Sequence, residues 1–282
     1  MPWEKKRLAL GAYQEVLTFQ HDAYQRPKNN FQQKGCLPMR IAVFSDVHSN
    51  QEALRAFMIH AARRKIDQYF CLGDIVGYGA NPNQCIALVQ SLPGIFFIQG
   101  NHDNAAGGNA SNMNTRADQA MIWTRQRLSG SNLSFLKGMV TVINQGNLSF
   151  CHGTPYNPLT WSYITKRKVI SKTFARSKSK IIFAGHTHAP SAITRKNFFC
   201  VYVKSPLNNC VLPAATNKRQ IFNCGSIGQP RDGDPRASYL VYDTGAQLIE
   251  FHRVPYDHGK AAQKIMDAGL PHYLATRLST GE

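Results

Sequence analysis

Five short apolar runs, each closed by an Asp, Asn or His, constrain this chain more than any other feature. Arg40-Ile41-Ala42-Val43-Phe44 runs into Ser45-Asp46-Val47-His48, and Gln68-Tyr69-Phe70-Cys71-Leu72 runs into Gly73-Asp74. Ile95-Phe96-Phe97-Ile98 leads to Gly100-Asn101-His102-Asp103. Asn147–Cys151 ends in His152-Gly153, and Ile181–Ala184 in Gly185-His186-Thr187-His188. Runs of this length and composition read as buried strands, and the glycines allow sharp turns after them. One such turn alone reads as a polar loop with a chance His. Five in series place carboxylates, an amide and imidazoles at strand ends, where open α/β sheets collect ligands.

The remaining patterning fits one large α/β domain. Ser49-x-x-Glu52 reads as a capping box, followed by Leu54, Phe57, Met58, Ala61 and Ala62 at helical spacing. Asn81-Pro82 opens a second helix, with Asn as N-cap and Pro in the first turn. Residues 104–114 read as a long polar loop, Thr115–Leu128 as a helix and Leu133–Leu136 as a short one. Met139–Ile143 and Asn147–Cys151 read as a hairpin about Asn144-Gln145-Gly146. Residues 195–219 read as an irregular insertion with one strand near 198–203. Strands follow at 221–224, 238–242 and 247–253, then a helix at about 257–268 capped by Gly269 and a short one after Pro271. Residues 1–38, with a helical patch from Leu8 to Phe19, read as a loosely ordered extension ahead of a domain spanning 39–282.

Composition narrows the partners. No apolar run nears the roughly 18 residues of a membrane span, and Met1–Lys6 lacks the apolar segment of a signal peptide. Seven Cys without a Cys-x-x-Cys pair read as reduced, buried thiols, which fits a cytoplasmic protein. The net charge of +17 favours anionic partners. The acid-free basic run Lys166, Arg167, Lys168, Lys172, Arg176, Lys178, Lys180 reads by itself as a solvated face.

Asp46, His48, Asp74, Asn101, His152, His186 and His188 together offer mixed nitrogen and oxygen donors, suited to Mn, Fe, Zn or Ni. Seven are too many for one ordinary site and fit two metals about 3.5–4 Å apart. The series Asp46-x-His48, Gly73-Asp74, Gly100-Asn101-His102-Asp103, His152, Gly185-His186-x-His188 resembles the calcineurin-like metallophosphoesterase superfamily. With Asn223-Cys224-Gly225-Ser226-Ile227-Gly228-Gln229-Pro230-Arg231, it is similar to the small YfcE-like phosphodiesterase branch, over roughly residues 39–270. The resemblance implies a four-layer αββα sandwich of two mixed sheets flanked by helices. It also implies two divalent metals, Mn favoured: Asp46, His48 and His188 on one, Asn101, His152 and His186 on the other, Asp74 bridging.

The expected activity is hydrolysis of a phosphoester, foremost a diester, by a hydroxide bound to both metals. His102 would protonate the leaving oxygen, and Asp103 would orient His102. Arg231 is a candidate for substrate binding. Small phosphoesters or nucleotides are the expected substrates. A nuclease, a phosphomonoesterase or protein phosphatase, and a non-catalytic scaffold are the alternatives. Nucleic acid is a partner left open but not favoured, since no basic stretch interleaved with aromatics is visible; a homo-oligomer is left open too.

Overall fold

Period-two alternation decides the layering. In a computed structural model describing residues 37–108, 115–196, 199–203, 210–215 and 217–282, strand β1 (Arg40–Phe44) sends Ile41 and Val43 to one face and Ala42 and Phe44 to the other. Both faces are buried from Ile41 onward, so the strand is apolar there, while Arg40 at its start pairs with Asp243 and Glu250.

The other strands are β2 (Gln68–Cys71), β3 (Ile95–Phe97), β4 (Val142–Gln145), β5 (Leu148–Cys151), β6 (Ile181–Ala184), β7 (Ser191–Lys196), β8 (Phe199–Val203), β9 (Val211–Pro213), β10 (Arg219–Asn223), β11 (Ala237–Asp243) and β12 (Leu248–Val254). They form two six-stranded sheets, ordered β3-β2-β1-β11-β12-β9 and β4-β5-β6-β10-β7-β8. Both are mixed: β1, β2 and β3 pair in parallel, as do β5, β6 and β10, while β11 and β4 pair antiparallel with β1 and β5. The helices are α1 (Gln51–Ala62), α2 (Pro82–Gln90), α3 (Asn101–Ala106), α4 (Thr115–Arg127), α5 (Gly130–Lys137), α6 (Arg167–Arg176), α7 (His258–Asp267) and α8 (His272–Thr276). Among the described residues, none is long and apolar enough to cross a membrane.

Three apolar clusters fill the spaces between layers. Phe70, Phe150, Phe183, Phe222, Leu240 and Phe251 lie between the two sheets, with Phe70 and Phe150 stacked at 3.7 Å. Phe44, Leu54, Phe57, Cys85, Ile86 and Val89 join the first sheet to α1 and α2. Ile170 and Phe174 of α6 cover Ile182, Ile193 and Ile221 on the outer face of the second sheet. The architecture is the four-layer αββα sandwich. Cys71, Cys85, Cys151 and Cys224 are buried and, like Cys210, free.

Several local expectations are corrected. The cap of α1 is Asn50, whose side chain accepts from Ala53 N, whereas the Ser49 hydroxyl is buried without a partner and Glu52 pairs with Lys264. Asn81 makes no side-chain cap, although Pro82 does open α2. Gly100-Asn101-His102-Asp103 is the start of a helix, so the polar loop begins only after α3. Asp103 accepts from Gly100 N and replaces the missing cap. The hairpin turns at Gly146-Asn147, with Gln145 paired to Leu148, rather than about Asn144-Gln145-Gly146, and Val140 lies outside β4 on a separate bridge to Ile98. The described parts of 195–219 are not irregular: β7 and β8 extend the edge of the second sheet and β9 extends the first. The patch at Leu8–Phe19 lies outside the described residues.

Candidate metal centre

The strand ends of both sheets meet at one place. β1 delivers Asp46 and His48, β2 delivers Asp74, and the start of α3 after β3 delivers Asn101 and His102. From the second sheet, β5 delivers His152, and the turn after β6 delivers His186 and His188. Asp46 Oδ1 lies 3.2 Å from His188 Nε2, which is 3.1 Å from His48 Nε2. Asp74 Oδ2 lies 3.7 Å from His48 Nε2 and 3.4 Å from His152 Nε2. His152 Nε2 in turn is 3.1 Å from Asn101 Oδ1 and 3.0 Å from His186 Nδ1. The donor atoms of Asp46, His48 and His188 fall within 4.8 Å of one another, as do those of Asp74, His152 and His186.

The far nitrogen of each ring faces a main-chain carbonyl, which can only accept. His48 Nδ1 faces Val76 O at 3.3 Å, His152 Nδ1 faces Leu72 O at 2.9 Å, and His188 Nδ1 faces Gln229 O at 2.6 Å. His186 is turned the other way, with Nε2 2.7 Å from Trp161 O. Each carbonyl fixes the ring hydrogen on its own side and leaves the opposite nitrogen a lone pair. Four such lone pairs, two carboxylates and an amide oxygen therefore converge, and Asp46 Oδ1 is buried without a hydrogen bond. Acceptors gathered without donors fit cations between them.

Burial and charge shape the protonation states. Burial pushes His48 well below its ordinary value, His186 down to about 3 and His102 down to about 4. Burial also lowers His152, but the Asp74 carboxylate outweighs it and raises the ring to about 9. For Asp74, burial raises the carboxyl and the charges of His152 and His102 overcome it, leaving it well below the usual carboxylate range. Asp74 is thus anionic and His48, His186 and His102 are neutral, whereas the proton that Asp74 favours on His152 is one that a cation there would have to displace.

Two side chains sit differently from expectation. Asp103 does not orient His102: its oxygens accept from the backbone N–H groups of Asp74 at 2.7 Å, Ile75 at 2.9 Å, Val76 at 3.3 Å and Gly100 at 3.1 Å. A carboxylate surrounded by main-chain donors holds a loop in place, here the loop bearing Asp74. His102 is fixed through its own N–H, which donates to Asp74 Oδ1 at 2.8 Å. Its Nδ1 is buried without a partner against Gly77, where a Cβ would come within 2.5 Å. Arg231 lies at the rim, with Nη2 donating to Gln229 Oε1 at 2.8 Å, the guanidinium over Tyr78 at 5.9 Å and Nε buried without a partner.

The domain described as that of the calcineurin-like phosphoesterase superfamily matches residues 39–247. The chain belongs to this superfamily. An uncharacterized protein of Methanocaldococcus jannaschii is 37% identical over 252 residues, 86% of this chain and 98% of that protein. The crystal structure of a metallophosphoesterase from Sphaerobacter thermophilus is similar at 38% identity and a TM-score of 0.78, covering 87% of this chain and all of that one (100%). A hypothetical protein from Pyrococcus horikoshii, 17% identical with a TM-score of 0.69 over 86% of this chain and 98% of its own, shares the fold.

This metallophosphoesterase domain also uses residues that its sequence does not advertise. Tyr78 packs against His48 and His102 at 4.6 and 4.5 Å, and Tyr163 stacks on His186 at 4.2 Å and 16°. Trp161 and Gln229 hold His186 and His188 through their carbonyls; the Trp161 ring also lies edge-on to His152 at 5.9 Å, and the Gln229 side chain accepts from Arg231. The one available signal was Gly77-Tyr78-Gly79, an aromatic residue set between two glycines.

Proposed function

We propose that this metallophosphoesterase hydrolyses phosphodiester bonds in small phosphoesters or nucleotides, at two divalent metals. Asp46, His48 and His188 would hold one, Asn101, His152 and His186 the other, and Asp74 would be shared. The observation that carries the reading is the convergence of lone pairs from both sheets around the orphaned Asp46 Oδ1. When bound, such a pair of metals polarises phosphoryl oxygens and supplies a nucleophile near neutral pH, with Mn favoured.

The protein's own groups do the rest. The carbonyls of Val76, Leu72, Gln229 and Trp161 keep the four rings from rotating. Arg231 would bind a phosphoryl oxygen at the rim. His102 would protonate the leaving oxygen from Nε2, since Nδ1 is closed off by Gly77. A neutral His102 takes up that proton once an anionic substrate lies beside it. Asp103 is a positioning residue: it shapes the Asp74 loop and does not reach the substrate. Preference for a diester follows from charge, because a monoanion asks for less compensation while its alkoxide still needs a proton.

The test is turnover of bis-nitrophenyl phosphate and nitrophenyl phosphate by protein stripped with chelator and reloaded with Mn, Fe, Zn or Ni. The expected result is metal-dependent turnover, at least about ten-fold faster on the diester. Faster monoester turnover would favour a phosphomonoesterase, and protein that neither binds metal nor turns over would favour a scaffold.

A further inference from the structure

The charge of this chain is divided unevenly. Between Asp118 and Asp232 there is not one Asp or Glu, yet there are sixteen Lys and Arg. Elsewhere, seventeen Lys and Arg face all sixteen acids. The excess charge therefore belongs to one stretch, which includes β5, β6 and α6. On α6 and its flanks, Lys166, Arg167, Lys168, Lys172, Arg176, Lys178 and Lys180 are all exposed. Lys168, Lys172 and Arg176 recur every four residues, a single stripe about 6 Å per step. Like charges at that spacing oppose the helix when nothing neutralises them.

Topology ties this stripe to the metal centre. β5 and β6 are parallel, so their crossover helix α6 begins at the edge carrying His152 and His186 and runs away from it. The loop between His152 and α6 carries Trp161, whose carbonyl holds His186. Lys172 reaches back over Tyr156 at 5.4 Å. Tyr163, 47% exposed, lays its ring on His186. A half-exposed aromatic ring at a phosphoester centre, four residues ahead of a helix that carries a row of cations, suits a strand with stacking bases and regularly spaced phosphates.

We propose that α6 is a docking surface for single-stranded nucleic acid, with phosphates along Lys168, Lys172 and Arg176 and a base stacked on Tyr163. The inference rests on the phosphodiesterase reading and extends its substrate class to oligonucleotides. An anionic lipid surface would answer to the same charges. Tyr163 favours the strand, since its ring lies on His186 rather than projecting as a wedge for a bilayer.

The experiment measures binding of a labelled fifteen-nucleotide oligo(dT) by full-length protein in EDTA, across 50–300 mM salt, by fluorescence anisotropy. Vesicles containing phosphatidylserine form a parallel arm. Wild type is expected to bind with affinity falling steeply with salt. The K168Q/K172Q/R176Q variant should flatten the log–log slope by about 2, at roughly 0.7 per phosphate contact. Tyr163→Ala should weaken binding about ten-fold with the slope unchanged. An unaltered slope in the triple variant, or vesicle binding in place of oligonucleotide binding, overturns the proposal. Diester hydrolysis by reloaded wild type without oligonucleotide binding overturns this inference alone. Oligonucleotide binding without hydrolysis under any metal keeps the surface and sinks the phosphodiesterase reading.

Discussion

Asp46, His48, Asp74, His186 and His188 all have φ between 48° and 68°. Residues with side chains resist this left-handed region, at roughly 1–3 kcal/mol each, and such strain gathers at functional sites. The turns aim five side chains inward where an extended backbone would send alternate ones away. Around them, the chemistry divides between His102 and Asp103. His102→Ala should retain both metals, measured by metal analysis, while kcat on the nitrophenyl diester falls about 10²–10⁴-fold. Asp103→Asn should act differently, because an amide puts donors against the N–H groups of Asp74 and Ile75. The expected result is a loss of about 3 kcal/mol in urea unfolding together with weaker metal retention. Full stability in Asp103→Asn would reject the positioning role.

At the scale of elements, what the sequence made legible follows from period and position. Strands buried on both faces and the polar residues closing them were readable, and so were Asp46, His48, Asp74 and the later histidines. α3 was not, because Asn-His-Asp-Asn has weak helix propensity; its first turn is held by His102 N on Asp74 Oδ1 and by Asp103 on Gly100 N. The target of Asp103 was hidden for a different reason: it is main chain 28 residues away, which no local pattern marks. β9 was hidden because three residues carry no period; it exists through pairing with β12. The start of α1 was misread by one residue, and this has a test. Asn50 caps Ala53 N at 3.1 Å and donates to Gly228 O at 2.9 Å, joining α1 to the loop beside Arg231. Asn50→Ala should cost about 1–2 kcal/mol in thermal or urea unfolding, whereas Ser49→Ala should change stability by less than about 0.5 kcal/mol. The reverse order would restore Ser49 as the cap.

Across the whole molecule, stability should follow metal and pH. A cation that binds only the folded chain adds about 2.7 kcal/mol at one hundred times its Kd. Mn titrated into chelator-stripped protein should therefore raise Tm progressively, and excess EDTA should return it. A second dependence comes from His252, buried between Tyr239 and His60, where burial and then Arg64 push its ring down to about 3 from an ordinary 6.5, against the opposing pull of the Glu250 carboxylate 3.3 Å from Nε2. The folded ring stays neutral while the unfolded one takes up a proton. Its contribution is whole above about pH 6.5 and is lost as pH falls toward 3. Urea unfolding of His252→Phe in EDTA should show a shallower decline across that window; an unchanged slope would assign the acid sensitivity elsewhere.

The seating of the centre across both sheets fixes when during synthesis it can be completed. A ribosome releases Asp46, Asp74 and Asn101 well before His186 and His188. A half-emerged chain holds two carboxylates and one imidazole of the first group but lacks the ring that closes it. If the centre holds cations as proposed, those met early would find only an open cluster, and the full ligand set would exist only once the second sheet has docked on the first.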